Sequence, residues 1–466
     1  MKKIFLILAF SFSFSDVYSQ RIAAGRLHSL GICVDGKVRS WGDGEFGQLG
    51  NKSISSATAP QSVAKIYGAS LPPSGIVKVA GGEMHSMALK DDGLVYVWGR
   101  NNFNQLGDLV YNSNRPYSNV PVGVDYKRVS DIIDIAAGGN HCLAVKKNGT
   151  VMSWGYNYNG QCGVESTKTM STTIIKNFSG VIKVAAGYDF SLALKSDGTV
   201  WSWGANSNGQ LGNGTTTDNY IPAQVSNLTE VIAISGGFEY CIALKSDGTV
   251  WTWGKNQYGQ LGNNTSTDSK VPIMVGTLSG ISAIAAGYKH SLALQNDGTV
   301  WAWGDNQNGS LGNGTFTFSY VPIKVKNLTG IISISAGDDH SLVVKSDGTV
   351  WAWGANSNGQ LGVGSNEKSN VPVNPFLSCQ VVIKVNNPTE NPIINFFPNP
   401  AFSKLNLNIN SDYLGEKYVI YDNIGNSVLS GIVSSEKSII ELYDLSAGIY
   451  FFKVGTNFKQ LILVNK

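Results

Sequence analysis

The side chains best suited to chemistry recur at one spacing. All five histidines, His28, His85, His141, His290 and His340, occupy one position of a repeated segment, and Phe190 and Tyr240 fill it in two further copies. Imidazoles in register suggest a metal ring. Phe cannot be a ligand, however, and zinc needs convergent ligands with ordered outer partners. These residues therefore read as flat side chains packed at a bend. The five cysteines, Cys33, Cys142, Cys162, Cys241 and Cys379, are too few and too scattered for a disulfide framework, and their odd number leaves at least one thiol free. Cys142 and Cys241 stand where most copies have Ser, as small packing residues, and C-x-x-C spacing is absent. Repeated Asp-Gly pairs lack the further carboxylates of a calcium loop. No G-x-S-x-G, H-E-x-x-H or phosphate-cradling G-x-x-x-x-G-K-[ST] occurs. The expectation is a protein that is not an enzyme, with no catalytic residue, no metal and no cofactor.

The elements that carry these residues follow from a Trp-Gly pair at Trp41, Trp98, Trp154, Trp203, Trp253, Trp303 and Trp353, spaced by 57, 56, 49, 50, 50 and 50 residues. Such a period marks a repeat architecture, here of seven units. The best-preserved unit starts at Val181: VIKVAAGYDFSLALKSDGTVWSWGANSNGQLGNGTTTDNYIPAQV. It holds four strand signals. VIKVAAG is a small-residue strand, SLALKS alternates, and Asp-Gly or Asn-Gly predicts a two-residue type I′ hairpin turn. TVWSWG places two tryptophans on one face, which reads as interblade packing more than as a carbohydrate platform. The loop N-x-x-G-Q-L-G leads to a last strand around a proline (Pro60, Pro121, Pro222, Pro272, Pro322, Pro372). Proline suits an edge strand because it cannot donate a ladder hydrogen bond. Four antiparallel strands repeated seven times describe a β-propeller. The repeat begins and ends in phase with a blade, so no strand exchange that closes the ring is evident.

The pattern A-G-x-x-H-S-L-A-L…D-G-T-V-W-x-W-G-x-N-x-x-G-Q-L-G resembles the regulator of chromosome condensation repeat, which implies a seven-bladed propeller over about residues 21 to 376. Blades 1 to 3 depart from it: Arg39, Tyr96 and Met152 replace the first tryptophan, and Asn104 replaces a loop glycine in blade 2. Asn tolerates the left-handed conformation that glycine would adopt.

Composition narrows the function classes. The formal net charge is +3 with 14% charged residues, against roughly 25% in an average soluble domain. No basic cluster of the kind nucleic acid requires is present, so no nucleic-acid partner is expected. Residues 1–19 have the basic, apolar and small-residue order of a secretory signal peptide, and no later run reaches the length of a transmembrane segment. After Cys379 a Pro/Asn-rich linker (379–392) follows the propeller (20–378). In residues 393–466, F-P-N-P-A (Phe397–Ala401), Y-D-N-I-G-N (Tyr421–Asn426) and L-S-A-G-I-Y-F-F-K-V (Leu445–Val454) resemble the type A sorting domain of the type IX secretion system. That resemblance implies a small β-sandwich, contact with the type IX machinery through residues 393–466, and a bacterium of the Bacteroidetes type. It also implies passage via the periplasm to the medium or the outer-membrane surface. The expected fold is all-β, a seven-bladed propeller followed by a small C-terminal β-sandwich.

What varies among blades points to function more than what recurs. Strands alternate in direction, so the A–B and C–D loops share one face. Just before the His position stand Arg26, Glu83, Asn140, Asp189, Glu239, Lys289 and Asp339, and the C–D loops present Phe46, Phe103, Tyr158 and Tyr258. Blade-specific charges and aromatics are the ingredients of a protein-binding surface. The leading expectation is a secreted or cell-surface binding propeller for an unknown protein or cell-surface ligand. The alternatives are guanine-nucleotide exchange, implied by the resemblance, and a propeller enzyme acting on polysaccharide.

Overall fold

The computed structural model describes residues 21–33, 36–67, 74–107, 116–124, 129–166 and 168–375, together with the strand segments between 394 and 463. The signal-peptide reading (1–19), the linker (379–392) and the segments that lengthen blades 1 and 2 relative to the other repeats, around 65–74 and 108–115, fall wholly or mostly outside those residues. The chain divides into two units, Met1–Ile383 and Lys384–Lys466.

The first unit is seven four-stranded antiparallel sheets, each formed by four consecutive strands, here called A to D. In blade 4 they are Val181–Ala186, Phe190–Lys195, Val200–Gly204 and Asn219–Gln224. Strand A ends in small residues, Ala185 and Ala186, where the seven blades crowd the axis, and strand B is wholly buried except at its end. Strand D carries the proline and lies at the outer edge. Blade 1 takes all four strands from the start of the repeat (22–62) and blade 7 all four from its end (331–373), so no strand is exchanged.

Another device joins the blades. The backbone carbonyl of the G-Q-L-G glutamine receives two hydrogen bonds from the next blade. Trp98 Nε1 donates to Gln48 O at 2.7 Å, and Ser86 Oγ donates to the same oxygen at 2.8 Å. The pairing repeats at Gln105, Gln161, Gln210 and Gln260, and at Ser310 where blade 6 lacks the glutamine. Between blades 7 and 1 it is Gln360 O that accepts from Trp41 Nε1 at 2.8 Å and from Ser29 Oγ at 2.9 Å. Ring closure is thus an ordinary interblade joint.

The histidines complete this joint. His28 Nε2 lies 2.9 Å from Ser86 Oγ, and His340 Nε2 lies 3.0 Å from Ser29 Oγ across the closure. The hydroxyl gives its one proton to the carbonyl, so the imidazole donates from Nε2. Nδ1 is left as a bare acceptor, buried and unpartnered in His28, His85, His141 and His340. Burial lowers the histidines to a pKa of about 3 to 4, against a hydrogen bond with the Asp338 backbone in His290. The packing reading of this position holds, with a donor role the pattern did not reveal. Cys142 accepts from His85 at 3.2 Å as a serine would, whereas Cys241 faces Phe190's blade with no imidazole to receive.

One expectation needs correction. The Asp-Gly hairpins are not type I′, because only the glycine has positive φ (Gly198, 79°), while Asp197 does not. Gly198 N bonds Lys195 O, and Lys195 N bonds Thr199 O, which makes a three-residue loop with a glycine bulge. Asp197 Oδ1 stabilises it by accepting from Thr199 N and Oγ1 at 2.9 and 2.6 Å. Cys142, Cys162 and Cys241 are buried free thiols, in line with the packing reading of Cys142 and Cys241, and Cys33 is disulfide-bonded. Asn104 behaves as expected, with φ at 61°.

The second unit is all-β. One sheet holds Ile394–Phe397, Lys404–Ile409 and Lys437–Glu441; the other orders Ser427–Ile432, Lys417–Tyr421, Gly448–Val454 and Asn457–Leu463. These seven short antiparallel strands form the small sandwich. Among the described residues no helix is long and apolar enough to cross a membrane.

Candidate functional site

At one end of the ring the seven A–B bends meet around the axis. Each bend reads Gly followed by two variable residues and then the His position. The tight glycine is required: at Gly25 a Cβ would sit 2.2 Å from His28 Cε1. The first variable residue of each bend lies on the axis, and its backbone N–H donates across to the bend of the next blade. The chain of bonds runs Arg26 to Gly82, Glu83 to Gly139, Gly139 to Tyr188, Tyr188 to Phe238, Phe238 to Tyr288, Tyr288 to Gly337 and Asp338, and Asp338 back to Arg26, at 2.9–3.4 Å. This closed collar narrows the mouth to a depression of about 90 Å³.

The collar presents charge on one side and rings on the other. Arg26 Nε contacts Asp338 Oδ2 at 3.0 Å, and Arg26 Nη1 contacts Glu83 Oε1 at 2.5 Å. Glu83 Oε2 accepts from Asn140 Nδ2 at 2.8 Å and from the Tyr188 hydroxyl at 3.0 Å. Tyr188, Phe238 and Tyr288 continue as a ring series with centroids 4.7 and 3.9 Å apart. Burial, with Asp339 adding to it, lifts Asp338 well above the usual carboxylate range despite Arg26 beside it. Burial and the nearby Glu83 and Glu239 raise Asp189 to about 6, against the hydrogen bond from Gln161. Tyr288 is pushed up to about 12 by burial and by Asp338.

The structure sorts the residues expected from sequence into three places. Arg26 and Glu83 stand two before the His position and line the axis, whereas Asp189, Glu239, Lys289 and Asp339 stand one before it and lie further out. Reading them as one column mixed two positions. The axial residues missed that way are Tyr188, Phe238, Tyr288 and Asp338, all following the recurrent Ala-Gly or Gly-Gly. Phe46, Phe103, Tyr158 and Tyr258 lie on the C–D loops, on the same face as expected. Gln161 Nε2 bonds Asp189, Asn308 Nδ2 bonds Asp339, and the Lys289 ammonium lies 4.5 Å from the Tyr258 ring centroid. The G-Q-L-G glutamine positions these loops, its Oε1 accepting from the backbone N–H of Phe46, Phe103 and Tyr258. Among the described residues no three His, Cys, Asp or Glu side chains gather as a metal set.

This ring matches the RCC1-like domain over residues 112–391, more than half of the sequence. The chain belongs to the RCC1-like domain family. Regulator of chromosome condensation (RCC1) repeats match at 35–89 and at 20–48 and 76–105, which brings the first blades into the same family. The secretion system C-terminal sorting domain matches residues 395–464, so this RCC1-like propeller is joined to a type IX sorting tail that directs a protein to secretion or the cell surface.

Among curated proteins, the RCC1-like chain is 36% identical over 152 residues to the ultraviolet-B receptor UVR8 of Arabidopsis thaliana, covering 32% of each. It is 34% identical over 139 residues to the human E3 ubiquitin-protein ligase HERC2, covering 30% of this chain and 3% of that one. The matched segment thus spans a third or less of these relatives. Among solved structures, human WBSCR16 superposes with a TM-score of 0.66 at 25% identity, covering 74% of this chain and 96% of that one. Prp20p from Saccharomyces cerevisiae shares the fold with a TM-score of 0.65 at 24% identity, covering 74% and 87%.

Proposed function

We propose that this RCC1-like chain is a binding propeller that travels through the periplasm and recognises a protein partner outside the cell, through the face built by its A–B and C–D loops. One observation carries the reading. Nearly every recurrent polar or aromatic side chain is consumed by the scaffold, whereas on this one face the blades differ and present Phe, Tyr, Lys and Arg at the surface. Those residue types dominate protein-interface energetics. In this reading the propeller binds and does not catalyse.

Glu83 is a poor probe of binding, because its carboxylate holds Arg26, Asn140 and Tyr188 together. Tyr158, Tyr258 and Lys289 are better: Tyr158 is 52% exposed, and the other two contact each other above the collar. The triple change Tyr158→Ala, Tyr258→Ala, Lys289→Ala in the full-length mature protein should preserve thermal stability. It should weaken saturable binding to cells and secreted proteins of the producing culture by at least about a hundredfold, at roughly 1–2 kcal/mol per interface anchor. Binding that is unchanged by the triple variant defeats the proposal.

A further inference from the structure

On blades 1 to 3 the loop face carries an arc of side chains that the collar does not include. The Arg100 guanidinium carbon lies 5.2 Å from the Phe46 ring centroid and 5.6 Å from that of Phe103. Phe103 meets Tyr156 edge-on at 4.9 Å, and Tyr156 stacks on Tyr158 at 4.9 Å. The arc ends on the exposed Tyr158.

Among the described residues Arg100 has no paired anion, unlike Arg26 and Lys255. Arg26 is paired with Glu83 and Asp338, and Lys255, in the same position of blade 5, is paired with Glu239 at 2.5 Å. In blade 2 the residue that would supply the carboxylate is Met84, and Arg100 Nη1 reaches only its sulfur, at 3.6 Å. Nε is shielded from water without a hydrogen-bond partner. A thioether is a weak acceptor, so the guanidinium keeps donors in the fork geometry that matches a carboxylate. Flanking rings hold that fork in place before a ligand arrives.

We propose that this arc is the docking point for an acidic peptide segment of the protein partner, with a carboxylate seated on Arg100 and neighbouring side chains laid over Phe103, Tyr156 and Tyr158. The inference rests on the binding reading above. A peptide fits better than an acidic saccharide because the arc runs over loop tips. The cavity on this face lies at the axis and includes none of the five residues, whereas small ligands favour concave sites. Arginine beside exposed Tyr and Phe is also the composition of a protein hot spot.

The test is fluorescence anisotropy of a labelled hexaglutamate peptide with the full-length mature protein at low salt. Hexagalacturonate and hexalysine serve as alternative probes. Wild-type protein should bind hexaglutamate, Arg100→Gln should weaken it at least tenfold, and Arg100→Lys should fall between them. Lys255→Gln removes one positive charge from the same face at an already paired site and should leave binding unchanged. The proposal is overturned if wild-type protein does not bind hexaglutamate, if Arg100→Gln binds like wild type, or if Lys255→Gln is equally weakened. Preference for hexagalacturonate overturns the peptide assignment. If the triple loop variant abolishes partner binding while Arg100→Gln leaves it intact, the broader binding function stands and this inference falls.

Discussion

Acidification should destabilise the propeller from about pH 6.5 downward, before carboxylates of ordinary pKa titrate. The five histidines are buried and neutral, with pKa values of about 3 to 4 against an ordinary value of 6.5. Below pH 6.5 the unfolded chain takes up protons that the folded chain refuses, so stability is lost as pH falls toward the folded values. Each such group contributes about 1.4 kcal/mol per pH unit inside that window. Five together set a ceiling of about 7 kcal/mol per unit, comparable to the whole stability of a typical domain. Asp189, Asp338 and Asp339 act in the opposite sense. Their folded pKa values are raised, chiefly by burial, so the stability they contribute is present below the ordinary carboxylate value and is lost as pH rises. They offset part of the histidine slope without reversing it. Thermal melts between pH 7.5 and 4.5 check this. His85→Phe should flatten the dependence, since it reproduces the Phe190 and Cys241 arrangement that already exists between blades 4 and 5. A melting temperature independent of pH over that range contradicts the account.

Removing the indole at the ring closure should cost as much as removing one inside the ring. Trp41 is fully buried, packs with Ile22, Leu342, Val344 and Leu361, and donates to Gln360 O. Trp253 does the same between blades 4 and 5, donating to Gln210 O at 2.9 Å. Trp→Ala at either site should lower stability by about 3–5 kcal/mol, from lost apolar area and an incompletely filled cavity. Trp→Phe should cost less, near the 1 kcal/mol of a hydrogen bond plus the trimmed area. Urea titration of the four variants measures both. A Trp41→Ala variant that melts like wild type would mean that the ring is closed by something other than this joint.

Much of this was legible because a repeat states each structural requirement seven times. The Trp-Gly period fixed the blades, the proline fixed strand D at the edge, and Phe190 in the histidine column pointed to packing at that position. The sequence did not disclose which partner each recurrent residue meets, since those bonds join positions about 30 to 50 residues apart in chain order (Ser191 to Gln161, Trp203 to Gln161), or more than 300 across the closure. The hairpin type was misread because Asp-Gly fits both a two-residue and a bulged three-residue loop, and only φ at Asp197 distinguishes them. The axial aromatics were missed for a geometric reason. Two variable residues separate Gly from the His position, and the collar of backbone bonds selects the first of them. Because the glycine and the His position are three apart in every bend, reading only the residue directly after the glycine brings Tyr188, Phe238, Tyr288 and Asp338 into one column with Arg26 and Glu83.

Partner recognition by the loop face is the central claim, and site-specific photo-crosslinking tests it most directly. Benzoylphenylalanine is placed at Tyr158 or Tyr258 on that face, and at the exposed Ser246 in a B–C hairpin at the opposite end of a blade. The labelled, full-length mature protein is then irradiated on producing cells and in their medium. Discrete protein adducts should form from Tyr158 and Tyr258 and not from Ser246. Adducts from Ser246 alone, or equally from both ends of the ring, would contradict it.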